Sequence, residues 1–381
     1  MHLGRFHFVV DFLERHFRDA KLAEQLDAAA TALEQYAQSR AESSITEFRS
    51  KLAAALDASD ELAPELLQPY ALQVVADLGL RSILPPRVRE TVDSLVAQHG
   101  FDSAALSAAL KKQSKAYAGQ ISNVCQLDSA LRGLTAEYTE VEPERAEFGL
   151  LLPREAVGER LPDLSREFDK LSNLSRAVNE LTGQPDYDSK VVTISSSWWQ
   201  VFLDIPINQI AFWTVAIERI VTLFKSNLEI KNLQKQLGER KISEPILKAI
   251  EEEVDKKVVA ELAGIASELV KRFGKIEDEG RRNEVETQLR QGLHYLARRM
   301  NQGAQVELNV GVPDDPDDLE IKEGEAPNQQ AIAEHQKMRE RIAELRSLRQ
   351  AAMSASEASL QIDAAAPLLL EEIKPTSERP K

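Results

Sequence analysis

The sequence predicts a mainly α protein in three parts. An N-terminal helical bundle over residues 1–142 precedes an α+β domain over 143–313, built from a sheet of about three strands and a bundle of long helices. A disordered or helical tail follows over 314–381. Three observations predict this. Alanine, leucine, glutamate and the long basic residues are abundant while aromatics make up 6%, a balance that favours helix. Apolar residues recur at spacings of three and four through most of the chain. Only three short runs have strand character, and all fall between residues 143 and 313.

In the first part, Phe6, Phe8, Phe12 and Phe17 form an aromatic cluster on a short leading helix. Leu22, Leu26, Ala29, Leu33 and Tyr36 mark one apolar helical face, and Ile45, Phe48, Leu52 and Leu56 mark another. Pro64, Pro69, Pro85 and Pro86 keep the next helices short or place a proline at their start. Asp102 is a suitable N-cap for a long helix through Leu106, Leu110, Tyr117, Ile121, Val124, Leu131 and Leu134.

In the second part, Phe148–Pro153 reads as a buried strand, Val191–Ile194 as a second, and Val306–Val312 as a third by its strict alternation. A helix through Leu161, Leu171 and Val178 separates the first two. From Pro206 to Leu237 the chain reads as one long helix with a stripe of Ile210, Trp213, Ile217, Ile220, Phe224 and Leu228. Ile246–Phe273 and Val285–Met300 are two more, stopped by Gly274 and Gly303. Such helices suit antiparallel, coiled-coil-like pairing, although the second advances mostly by fours rather than at a sustained 3.5 spacing. In the third part, Pro313–Pro327 holds seven acids and one lysine and reads as a solvated linker. Beyond it lies an amphipathic helix with Ile332, Met338, Ile342, Leu345 and Met353 on one stripe, and then the apolar residues Leu368, Leu369, Leu370 and Ile373.

The chain has 381 residues and a net charge of −15, from 62 acids against 47 bases. That field repels a phosphate backbone, so nucleic acid is not an expected partner. Arg281, Arg282, Arg290, Arg298 and Arg299 are interleaved with acids and read as a solvated helical face, with His294 partly exposed among them. A single cysteine, Cys125, excludes an internal disulfide and reads as a small core residue. The N-terminus lacks the apolar core of a signal peptide. The longest uncharged runs, Val191–Leu203 and Ile205–Ile217, have 13 residues each, so no transmembrane segment is expected and a cytoplasmic location follows by default.

No phosphate-binding loop, nucleophile elbow or zinc motif occurs, and the six histidines are scattered, so neither a catalytic set nor a cofactor or metal site is expected. The readings point instead to a non-enzymatic assembly or adaptor protein working through helical contacts, with itself as a homo-oligomer or with another protein. Two alternatives have a residue basis. Ser195, Ser196 and Ser197 are expected at a strand-to-helix turn, where free N–H groups and hydroxyls could hold a small anionic ligand in a sensor domain. Trp198 and Trp199, with Phe202, could form an interaction surface for a protein or a membrane.

Overall fold

The computed structural model describes residues 3–60, 64–100, 102–134, 141–158, 160–195, 199–239, 244–315 and 329–362. They form two compact units, residues 1–140 and 141–381.

The first unit is all helical: α1 (Leu3–Ala20), α2 (Leu22–Ser39), α3 (Glu42–Asp60), α4 (Pro69–Asp77), α5 (Arg87–His99) and α6 (Ser103–Gly133). Helix α6 is capped as its sequence suggests, Asp102 Oδ1 accepting from the N–H groups of Ala104 and Ala105 at 3.0 Å each. It runs along α2, where fully buried Ala29 and Ala30 allow close approach. Ser107 and Ser114 donate hydrogen bonds to the carbonyls of Ala30 and Ala23 at 2.7 and 2.8 Å. An ionic group with buried carboxylates and half-exposed arginines pins α1 to α6: Asp11 pairs with Arg15 and Arg132, and Asp128 with Arg132, while His7 Nε2 lies 3.4 Å from Asp128 Oδ1. Cys125 is exposed rather than a core residue, because the neighbouring Val124 takes the inward position on α6.

The second unit is mainly helical with a four-stranded antiparallel sheet. Its elements are β1 (Ala146–Leu152), α7 (Arg154–Val157), α8 (Leu161–Leu181), β2 (Val191–Ser195), β3 (Trp199–Ile205), α9 (Ile210–Glu239), α10 (Glu244–Phe273), α11 (Glu279–Asn301), β4 (Gln305–Val310) and α12 (Gln329–Ser359). The strand order is β2-β3-β1-β4. Phe148 sits opposite both Leu203 and Leu308, so one face presents Phe148, Leu150, Val201, Leu203, Val306 and Leu308 to the helical core. Trp213 is 2% exposed, with its ring centroid 4.2 Å from that of Phe148 and an edge toward Phe212. The stripe Ile210, Trp213, Ile217, Ile220 and Phe224 joins Leu174 and Val178 of α8, Leu262 and Leu269 of α10, and Leu289, Leu293 and Leu296 of α11. The side chains of 228–255, including Leu228, Ile246, Ile250 and Val254, lie outside the described residues. Among the described residues, Ile207–Asn227 is apolar and long enough to suit a membrane span by length and composition, yet 61% of that window is buried within the fold.

Three expectations need correction. The fourth strand, β3, occupies residues expected to lead straight into a helix; Pro206 ends it, and α9 starts only at Ile210. Arg299 and His294 are buried, not solvated: the Arg299 guanidinium grips Glu167 of α8, and burial, then the Arg298 charge, pushes the His294 imidazole below the ordinary histidine range. The terminal helix, expected beyond an isolating linker, packs on β4 and α9 and buries Ile342, Leu345, Ala352 and Ala355. Residues 316–328 of that linker and the apolar Leu368–Leu370 and Ile373 lie outside the described residues.

Helix α12 does more than cover β4. Ser356 Oγ accepts from the Leu308 N–H at 2.8 Å and Ser359 Oγ from the Val306 N–H at 3.3 Å, so two hydroxyls replace the strand that would otherwise pair there. Ser356→Ala leaves the buried Leu308 N–H without its acceptor and is expected to cost ~1–3 kcal/mol. Urea denaturation of the variant beside the parent measures it; an unchanged midpoint would mean that the hydroxyl contributes nothing.

Candidate functional site: the open edge of the sheet

One edge of the sheet is closed by α12, and the other is β2. Among the described residues, β2 pairs only with β3, leaving its outer backbone groups without a neighbouring strand. Val191, Val192 and Ile194 are 52%, 39% and 51% exposed, an unusual run of large β-branched side chains in water. The pairing slips between Val191 and Thr193, placing Val192 in a bulge. Bulges and shortness blunt edge strands, but the charges and prolines that usually protect them are missing from Val191–Ser195.

The segment leading into β2 is held firmly. Asn179 of α8 donates to the Tyr187 carbonyl at 2.8 Å, and the hydroxyls of Ser175 and Ser189 lie 2.8 Å apart. Buried Gln209 ties Asn179 Oδ1 (2.8 Å) and Thr182 Oγ1 (3.1 Å) into the same network. At the strand's start the Asp204 N–H donates to the Lys190 carbonyl at 2.8 Å. The Asp204 carboxylate accepts from the Tyr187 hydroxyl at 2.7 Å and from Arg145 at 3.0 Å. Burial, then the hydrogen bond and charge of Asp204, push the Tyr187 phenol up to about 12, so it stays protonated as a donor. The entry to the edge strand is therefore positioned by contacts from α8 and β3.

Of the residues singled out in sequence, Ser195, Trp199 and Phe202 are described, and they lie on β2 and β3. Ser195 ends β2, and Trp199 opens β3 opposite Leu152. The described element that follows β2 is the strand β3, not the helix expected there. Ser196, Ser197 and Trp198 lie outside the described residues. Trp199 is half-buried against the core, and Phe202 is fully buried with its ring over Gly149, where a Cβ would come within 2.5 Å of it. Neither is an exposed docking side chain. Sequence reasoning missed Tyr187, Asp204 and Arg145, and it took Val191–Ile194 as part of the core.

Among the described residues no group of three or more His, Cys, Asp or Glu could hold a metal ion. What the edge offers is recognition chemistry: main-chain donors and acceptors flanked by apolar side chains. Comparison with protein-family models, curated proteins and solved structures gives no match, so the reading of this edge rests on its geometry.

Proposed function

We propose that the chain is a non-enzymatic assembly protein that captures an extended segment of a partner protein by strand addition at β2. The observation that carries this reading is the contrast between the sheet's two edges. One is satisfied by hydroxyls of the chain's own α12, while the other presents three exposed β-branched side chains and backbone that no strand pairs among the described residues. A five-residue edge buries less than the ~1,000 Å² expected of a stable dimer interface, so a peptide-sized, reversible contact fits it better than a permanent homodimer. The exposed Asp186 and Asp188 just before the strand, in a chain of net charge −15, favour a partner segment with basic residues beside its apolar ones.

Selection from a displayed library of random peptides tests this with the full chain as bait. Enriched sequences are expected to alternate β-branched or aromatic residues, carry lysine or arginine at one end, and protect β2 amides in hydrogen exchange. Val192→Lys and Ile194→Lys, surface changes expected to alter stability by no more than ~0.5 kcal/mol, should each weaken the selected peptides at least ~10-fold. Peptides that bind these variants unchanged, or that protect amides elsewhere, would overturn the reading. Light scattering showing a dimer lost in the same variants would replace the foreign segment with a second copy.

A further inference from the structure

Cross-strand partners fix which way the edge side chains point. Val191 stands opposite Leu203 and Ile194 opposite Val201, and both partners belong to the helical core. Val191 and Ile194 therefore point to the helical side of the sheet. They are nevertheless 52% and 51% exposed, so the helical layer stops short of the edge strand. Among the described elements, the helix that borders this edge is α8. Ser175 Oγ lies 2.8 Å from Ser189 Oγ, just before β2, and α8 begins shortly after Leu152, which stands opposite Trp199 beyond the end of β2. Helix and strand thus run in opposite directions along the same side.

The face of α8 that carries Ser175 continues at spacings of four and three through Leu171, Phe168, Leu164 and Leu161. Cover along that row falls step by step: Leu171 is buried, Phe168 and Leu164 are partly buried, and Leu161 is 78% exposed. Two incompletely covered apolar rows therefore border the edge, one from the strand and one from the helix.

The ladder sets the spacing that an added strand needs. The Asp204 N–H donates to the Lys190 carbonyl, so alternation along β2 turns the main-chain groups of Val191 and Ile194 away from β3. The bulge at Val192 places these two residues opposite Leu203 and Val201, which have a single residue between them. A regular strand added outside β2 follows the same repeat, so its residues paired with Val191 and Ile194 also have one residue between them. Their side chains fall on the helical side, toward the α8 row. A helix cannot supply that pair, because its residues i and i+2 do not share a face. A second β2 cannot supply it either, since its own Val191 and Ile194 are separated by Val192 and Thr193.

We propose that the partner segment is an extended peptide anchored by two large apolar side chains with one residue between them, which pair with Val191 and Ile194 and pack on Leu161, Leu164 and Phe168. This rests on the strand-addition reading and adds to it the spacing of the anchors and the helix that selects them.

Fluorescence anisotropy with the full chain and two labelled isomeric peptides tests it. Lys-Thr-Phe-Thr-Phe-Thr-Lys has the expected spacing, and Lys-Phe-Thr-Thr-Phe-Thr-Lys has the same composition with its anchors one position further apart. The first is expected to bind at least ~10-fold more tightly than the second. Leu161→Gln changes an exposed side chain and should leave the melting temperature unaltered, yet weaken the first peptide at least ~5-fold, because that leucine is covered only in the complex. Asn173→Ala, on the opposite face of α8, should bind as the parent does. Equal binding of the two isomers would overturn the spacing, and unchanged binding by Leu161→Gln would overturn the part assigned to α8; either result leaves strand addition itself standing. If neither isomer binds while the displayed library yields sequences that protect β2, the anchors are wrongly assigned, and if the library yields none, the strand-addition reading falls as well. A dimer of the parent that Leu161→Gln dissociates in light scattering would give this surface to a second copy and overturn the proposal.

Discussion

Trp213→Ala is expected to destabilise the second unit by ~3–5 kcal/mol, a large part of the ~5–15 kcal/mol that holds a domain folded. Trp213 is 2% exposed and lies where α9 meets the sheet, against Phe148 of β1 and Phe212 of its own helix. Truncation removes the side chain on which the sheet and the helical layer rest, and the rigid neighbours cannot close the void. Trp213→Phe separates volume from polarity. Among the described residues the buried indole Nε1 has no hydrogen-bond partner, so phenylalanine discards an uncompensated polar atom along with part of the ring. Its loss should be no more than ~1.5 kcal/mol. Urea melts followed by far-UV circular dichroism give both numbers. Because the chain forms two units, the shift should fall in one transition and leave any other in place. An alanine variant as stable as the parent would mean that the stripe is not the core.

The stripe could be read in advance because helical burial writes a regular signature. Ile210, Trp213, Ile217, Ile220 and Phe224 all point one way, and the buried residues of α8 and α11 follow the same rule. Strand β3 could not be read that way. Val201, Phe202, Leu203 and Ile205 are buried on both faces of the sheet, and a continuous apolar run looks the same in a buried strand as in a buried helix. Gly149 was the available hint, since a glycine inside a strand often marks a side chain crossing close to the backbone, here the Phe202 ring. Helix α12 was misjudged for a different reason. Its contact with β4 is made by Ala352, Ala355, Ser356 and Ser359, residues too small or too polar to register as an apolar face.

The candidate site was half legible. Apolar, β-branched residues at Val191–Ile194 correctly signalled a strand, but a central strand and an edge strand differ in who pairs with them, and pairing is a long-range fact. The clasp of Tyr187, Asp204 and Arg145 joins residues 17 and 59 positions apart, and no local pattern announces such a meeting. The ion pair between α8 and α11 was hidden similarly: Arg281 looked solvated until Glu180, 101 positions away, closed on it.

Arg299→Ala is the other change expected to act strongly, by ~3–5 kcal/mol, and for an electrostatic reason. Arg299 on α11 holds both oxygens of Glu167 on α8, with Nε 2.8 Å from Oε2, and the two side chains are 9% and 6% exposed. Its remaining donors are also committed, Nη1 reaching the Ala156 carbonyl of α7 at 2.5 Å and Gln302 Oε1 at 2.6 Å. The adjacent Tyr295 phenol is pushed well above its ordinary range by burial, then by the Glu167 charge, so it remains a neutral donor. Removing the guanidinium leaves a buried carboxylate without its counter-charge and a half-buried carbonyl without its donor. Glu167→Ala should cost a similar amount by stranding the arginine. Arg299→Lys keeps the charge but not the fork, and it should fall between parent and alanine. The double variant Glu167→Leu/Arg299→Met removes both charges and fills their volume, so it should recover most of the stability, to within ~1 kcal/mol of the parent or beyond it. Denaturant melts of the parent, Glu167→Leu, Arg299→Met and the double variant form a cycle with an expected coupling of ~3 kcal/mol or more. If the double variant instead loses the sum of the two single losses, the pair is not a unit, and α7, α8 and α11 are held together by their apolar contacts alone.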